Sequence, residues 1–307
     1  MTVTDVALAR NTLSDTPIDR TTLIRQPIDL GGQLWLGRLD QTLTGQILDA
    51  CEPRGLNYQV NRAWGVMYAL YRTDAPRQPG SLYQWDPDHR LSLAMRMSRL
   101  VHPTSLAYEF SARVVENEGS PDRIIAPSYI KGWGTRAYVV NTQMNWLTTD
   151  HASQLRQLLT VYDHDALPER VKSALFYFEY AALTYFIDLR WVSLTTACES
   201  LIHIDGERDP ANPQRFAGST QVFVTRMSQL TRAVLGAALP EVDLRAMYRA
   251  RSALAHGQDF TGLTSENRRL YVLHEDTLRA ILRKVVLEQA FAATFQDDTS
   301  IQATLPL

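Results

Sequence analysis

Several groups that commonly mark a chemical function are scarce in this sequence. There are two cysteines, Cys51 and Cys198, far apart and without C-x-x-C spacing, which argues against both a disulfide framework and a thiolate zinc site. No H-x-x-x-H or H-E-x-x-H occurs, and His151 and His164 are too far apart for a helical ligand pair, so neither metal nor cofactor is expected. Gly132-Trp133-Gly134 is too short for a dinucleotide fingerprint, a P-loop lysine is missing, and so is the G-x-S-x-G elbow of serine hydrolases. Asp86-Pro87-Asp88-His89 reads as a solvated turn, with cation binding as the alternative. The longest apolar stretch, Ala174 to Leu194, is broken by Glu179, Asp188 and Arg190, so no membrane span is expected. Met1 to Asp15 lacks the apolar core of a signal peptide, and a cytoplasmic protein is the expectation. The net charge of −2 gives no bulk attraction for nucleic acid, which leaves only local arginine clusters for that purpose.

A chain of 307 residues, 45% hydrophobic and 21% charged, is long enough for two globular domains or for one large one. The periodicity predicts an α+β protein: a mixed α/β domain of unnamed fold over residues 26–150, then an all-α bundle over 151–307. Residues 1–25 lack periodicity and read as a flexible arm. Asp29 to Leu39 is β-like, with Gly31-Gly32 and then alternating Leu34, Leu36 and, after Gly37, Leu39; Gln41 to Cys51 suits a short helix, and Ala63 to Tyr71 a strand. His89 to Val101 has helical spacing and stops before Pro103. Leu106 to Val115 and Ile124 to Val140 read as strands and hairpins. Trp64, Tyr68, Tyr71, Arg72, Tyr129, Lys131, Trp133 and Arg136 interleave aromatics with cations; they would either fill a core or stack nucleic-acid bases.

Cap-forming residues at Thr148-Thr149-Asp150 open the helical part. Helices are expected over Ala152 to Tyr162, from Pro168 through Ala182, and from about Thr184 to Ile202. Further helices should cover Val222 to Leu235, Pro240 to Ala255 and Glu275 to Phe295, with a polar loop at Gly206 to Gly218.

Within this part, Leu244 to Gly257 stands out. On a helical wheel Leu244, Met247, Tyr248, Leu254 and Ala255 share a face with Arg251 among them, while Arg245, Arg249, Ser252 and His256 share the other. A guanidinium in an apolar stripe needs a carboxylate, phosphate or water; Arg251 is expected to be substantially buried and to face Glu199, in Cys198-Glu199-Ser200, or another acidic group of the neighbouring helix. Gly257 supplies a helix stop, which puts His256 in the last turn.

The run Tyr248-x-x-Arg251-Ser252-x-x-x-His256-Gly257 resembles the R-x4-6-H signature of HEPN domains, most closely the ApeA-like branch. The resemblance covers the C-terminal half only. It implies a HEPN-like helical bundle, a homodimer through that bundle, and metal-independent cleavage of RNA to a 2′,3′-cyclic phosphate. Arg251 and His256 would be catalytic, with Glu199, Ser252, Tyr248 and Arg249 supporting. A prokaryotic toxin or antiviral defence effector, with a sensing or recruiting N-terminal domain, would fit such an activity. Ser252 departs from the Asn or Asp common at its position, and Arg249 also has the required spacing to His256. A non-catalytic HEPN dimerisation or ligand-binding module is the other reading; in it Arg251 ties helices together through Glu199 and His256 is a cap residue.

Overall fold

The computed structural model describes residues 2–11, 27–51, 68–72, 90–104, 106–117, 120–129, 149–184, 186–256 and 264–307. It divides into two units, the first running to Thr160 and the second comprising Val161–Leu307. The class is α+β, with helices outweighing antiparallel sheet.

In the first unit, β1 (Thr2–Asn11), β2 (Ile28–Gly31), β3 (Leu34–Arg38), β4 (Tyr68–Arg72), β5 (Leu106–Asn117) and β6 (Ser120–Tyr129) form one sheet in the order β2-β3-β4-β1-β5-β6. Every pairing in it is antiparallel. The β2–β3 turn places Gly31, Gly32 and Gln33 at φ of 85°, 60° and 66°, and the Asp29 carboxylate accepts from Gly31 N at 2.7 Å. α1 (Gln41–Ala50) starts at Asp40, whose carboxylate accepts from Thr42 N at 2.7 Å and Leu43 N at 3.1 Å. These bonds hold the Asp40 carboxyl below its ordinary pKa. Ile47 and Leu48 of α1 pack on Val6, Leu8, Phe110, Ala112 and Val114 of the sheet.

Thr2–Asn11 corrects the expectation of a flexible arm, because β1 lies inside the sheet between β4 and β5. Asp5 made this stretch look solvated, yet it is 5% exposed and sits opposite Arg113. Arg113 Nε and Nη2 donate to the two Asp5 oxygens at 2.7 and 2.9 Å. α2 (Arg90–Val101) ends ahead of Pro103 as expected. α3 (Thr149–Val161), read from sequence as the head of the helical part, groups with the first unit. There Arg156 faces Asp29 at 3.5 Å, and the His151 ring stacks on His102 with centroids 4.2 Å apart. The interleaved side chains of Trp64, Tyr68, Tyr71, Arg72, Tyr129, Lys131, Trp133 and Arg136 lie outside what is described, as does the Asp86 to His89 turn.

The second unit contains α4 (Glu169–Leu183), α5 (Ile187–Ile202), α6 (Ser219–Leu235), α7 (Glu241–Ala255) and α8 (Ser265–Leu287). After these come α9 (Gln289–Ala292), a 3₁₀ turn at Ala293–Phe295 and α10 (Asp298–Thr304). Two of the expectations need correcting. The long helix begins at Ser265 rather than Glu275, with Thr264 Oγ1 accepting from Asn267 N at 3.1 Å, and it stops at Leu287. Its polar opening, Asn267-Arg268-Arg269, disguised it; Arg269 pairs with Glu266 and, on α7, Asp243. The region is also not all-α, since β7 (Arg208–Asp209) and β8 (Asn212–Phe216) form a two-stranded ribbon inside the expected loop, and strand pairing between Val171 and Phe295 counts against a HEPN-like bundle.

The helices meet around Trp191, Phe178, Phe223, Met247, Tyr271, Leu278 and Ile281, all buried. Trp191 Nε1 donates to Met247 O at 3.0 Å, fixing α5 against α7, and the Phe223 and Tyr248 rings lie 5.0 Å apart between α6 and α7. Arg226 is fully buried: Nε donates to Leu305 O at 2.9 Å, Nη1 to Ile202 O at 2.7 Å, and Nη2 to Glu207 Oε1 at 2.5 Å. One side chain thus joins the end of α5, the root of the ribbon and the C-terminal segment.

Candidate functional site

α5 presents Thr196, Glu199, Ser200 and His203 on one face, at the i, i+3, i+4 and i+7 spacing that lines up residues along a helix. They line an open cleft of about 530 Å³ in the second unit. Tyr248 and Arg251 reach it from α7, Arg170 from the first turn of α4, Ser219 from the first turn of α6, and Asp205 and Asp298 from its rim.

The Glu199 carboxylate organises the α5–α7 side. Its Oε2 accepts from Arg251 Nη2 at 3.0 Å and its Oε1 from Tyr248 Oη at 3.2 Å. The Arg251 and Glu199 side chains are 30% and 22% exposed, so the expected pairing exists but in a half-buried setting. The Arg251 guanidinium lies 5.9 Å from the centre of the Tyr248 ring. Its buried Nε has no hydrogen-bond partner among the described residues. Burial first, then the charge of Glu199, pushes the Tyr248 phenol above its ordinary pKa, with a hydrogen bond to Ser219 opposing. The phenol therefore stays protonated and acts as a donor near neutral pH.

The other cation is more fully engaged. Arg170 Nη1 donates to His203 O at 2.6 Å and Ser200 O at 3.3 Å, the last carbonyls of α5, and Nη2 bonds Asp298. A positive charge at a helix C-terminus is favoured by the dipole, so Arg170 first of all closes the end of α5. His203 caps that helix, with Nε2 3.1 Å from Asp205 Oδ1. Thr196 and Ser200 donate their hydroxyl protons to Val192 O and Thr196 O, which leaves their oxygens as acceptors toward the cleft. Ser219 opens the 17-residue α6, and its N-cap, Gly218, brings no side-chain cap, so the positive end of that helix is also at the cleft.

His256 is the C-cap of α7 with φ −94° and ψ 13°; its exposed imidazole does not line the cleft. Gly257, the expected stop, lies outside the described residues. Arg249 is exposed and Ser252 half-buried, and neither lines the cleft. Leu244, Met247 and Tyr248 are buried as the wheel requires, whereas Leu254 is half-buried and Ala255 exposed because the helix is running out. The structure therefore brings Arg251, Tyr248 and Glu199 together and leaves His256, Arg249 and Ser252 outside the cleft.

Sequence reasoning missed Arg170, His203, Asp205, Ser219 and Asp298. His203 could have been found, being one helical turn beyond Glu199 on the same face. Arg170 and Asp298 are 128 positions apart, and nothing local relates them.

Among the described residues no group of three or more His, Cys, Asp or Glu is placed to hold a metal ion, and no helix is long and apolar enough to cross a membrane. Comparison of the chain with models of known families, with curated proteins and with solved structures gives no match.

Proposed function

We propose that the second unit is a HEPN-type ribonuclease whose cleft holds a phosphodiester of RNA and cleaves it without a metal. The observation that carries the reading is Arg251, whose side chain is 30% exposed, gives Glu199 a single hydrogen bond and lines an open cleft beside the N-terminus of α6. A guanidinium matches two phosphate oxygens and stabilises charge accumulating on them in the transition state. The ribose 2′-oxygen attacks phosphorus as its proton passes to a base. The P–O5′ bond breaks as an acid protonates the leaving oxygen, giving a 2′,3′-cyclic phosphate and a 5′-hydroxyl.

Imidazole is the side chain that can serve both proton transfers near neutral pH. The resemblance assigns this work to His256; its exposed position at the end of α7 suits a site completed by a second copy of the chain. His203 lines the cleft itself and is oriented by Asp205.

The test is cleavage of single-stranded RNA by the full chain with and without chelator, beside His256→Ala and His203→Ala. Chelator-resistant cutting to cyclic phosphate, lost in His256→Ala and dependent on protein concentration, is the expected result. Loss in His203→Ala alone would move the chemistry into a single copy. Absence of cutting by the parent protein would leave the second reading, a binding module; the closed Glu199–Arg251–Tyr248 network favours it, because an arginine already holding a carboxylate is partly neutralised.

A further inference from the structure

β7 and β8 form a ribbon with no core of its own. Every residue of β8, Asn212 to Phe216, is exposed, and a two-stranded hairpin is by itself barely stable in water. It is held at its root, where Ala217 N donates to Glu207 O at 2.9 Å and the Glu207 side chain is fixed by buried Arg226. Its tip is braced by Asx-type turns, with Ala211 N donating to Asp209 Oδ1 and Gln214 N to Asn212 Oδ1. The fold thus anchors a ribbon that buries nothing of β8.

That ribbon displays a specific pair. Phe216 is 63% exposed, and the Arg208 guanidinium lies 4.1 Å from the centre of its ring, with Arg208 Nη1 also reaching Gln214 O. Arg215 adds a second exposed cation, and the one carboxylate within the two strands, Asp209, accepts from Ala211 N at the turn. The segment is continuous with the cleft at both ends, since Asp205 precedes it, Ser219 follows it, and both line the cleft.

We infer that the Arg208–Phe216 ribbon is a base-stacking element that holds single-stranded RNA beside the cleft. An exposed aromatic ring backed by guanidinium is the chemistry that stacks a nucleobase, and the two arginines suit the strand's phosphates. The inference rests on reading the cleft as an RNA site, and it adds where the strand outside the scissile phosphate lies. A nucleotide stacked on Phe216 is recognised by its face, so the preference it confers is for unpaired strand rather than for sequence.

The experiment measures binding of a fluorescein-labelled twelve-nucleotide oligouridylate to the full chain, at low salt with inhibited turnover, by anisotropy. Phe216→Ala and Arg208→Ala should each weaken binding about tenfold, and Phe216→Tyr should bind like the parent. Melting temperature should not change in Phe216→Ala, because the ring is mostly in solvent. Equal binding by Phe216→Ala, or no binding by the parent protein, would overturn the inference. So would a change of oligomeric state in Phe216→Ala, which would make the ribbon a contact between copies. A parent that binds through Phe216 but never cuts would defeat the ribonuclease reading alone; a parent that cuts while Phe216→Ala binds equally well would defeat the ribbon alone.

Discussion

Glu199 and Arg251 are 52 residues apart in sequence and joined by a 3.0 Å hydrogen bond between α5 and α7. The same carboxylate receives Tyr248, so one acidic side chain ties α7 to α5 at two positions about one helical turn apart. It also limits how much of the Arg251 charge is available at the cleft, and an incoming phosphate would have to share the guanidinium with it.

Glu199→Ala leaves both donors without their acceptor. With side chains 30% and 22% exposed, the pair lies between a solvated and a buried ion pair, and the loss should be about 1–2 kcal/mol. Urea unfolding of Glu199→Ala, Arg251→Ala and the double variant would measure the coupling. A coupling energy near zero would show that water already carries the interaction.

Arg226→Met should be the more damaging substitution. It strands the carbonyls of Ile202 and Leu305 and leaves the Glu207 carboxylate, 9% exposed, without its cation. Removing one partner of such a pair costs on the order of 3–5 kcal/mol. Adding Glu207→Gln should recover part of that loss by removing the stranded charge. If the double variant were no more stable than Arg226→Met in chemical denaturation, the cost would lie in the lost carbonyl contacts instead.

His274, fully buried beside Trp191, Phe223 and Cys198, should set an acid limit on stability. Burial lowers its pKa to about 4 from the ordinary 6.5, and the same burial pushes the neighbouring Cys198 thiol up. Between those two pH values the unfolded imidazole is protonated and the folded one is not, so the unfolded chain binds more protons. Stability should fall as pH is lowered from about 6.5 toward 4, by up to about 3 kcal/mol, with no contribution above that window. Melting curves across this range, for the parent and for His274→Gln, should show the fall flattened in the variant. An equally steep fall in both would place the acid sensitivity on other groups.

Where hydrophobic periodicity is carried by neighbours along the chain, the sequence alone was sufficient. The helix ending before Pro103 and the spans of α4 to α7 follow from local spacing and backbone chemistry. So does the pairing of Arg251 with Glu199, one of the partners that a guanidinium between Met247 and Leu254 can take, although the side chain is less buried than the wheel suggests. What the sequence concealed were polar residues satisfied at long range. Asp5 disguised a strand inside the sheet because its partner, Arg113, is 108 residues away. Asn267-Arg268-Arg269 likewise hid the opening of α8, because Arg269 finds Asp243 on α7, 26 residues away. The cleft itself is a tertiary product. Arg170 and Asp298 meet only when α10 packs near the start of α4, and His203 joins them only because α5 ends there. Local spacing determines which face a side chain occupies. Which faces meet is decided by how the helices pack, and that packing left His256 in solvent while drawing Arg251 into the cleft.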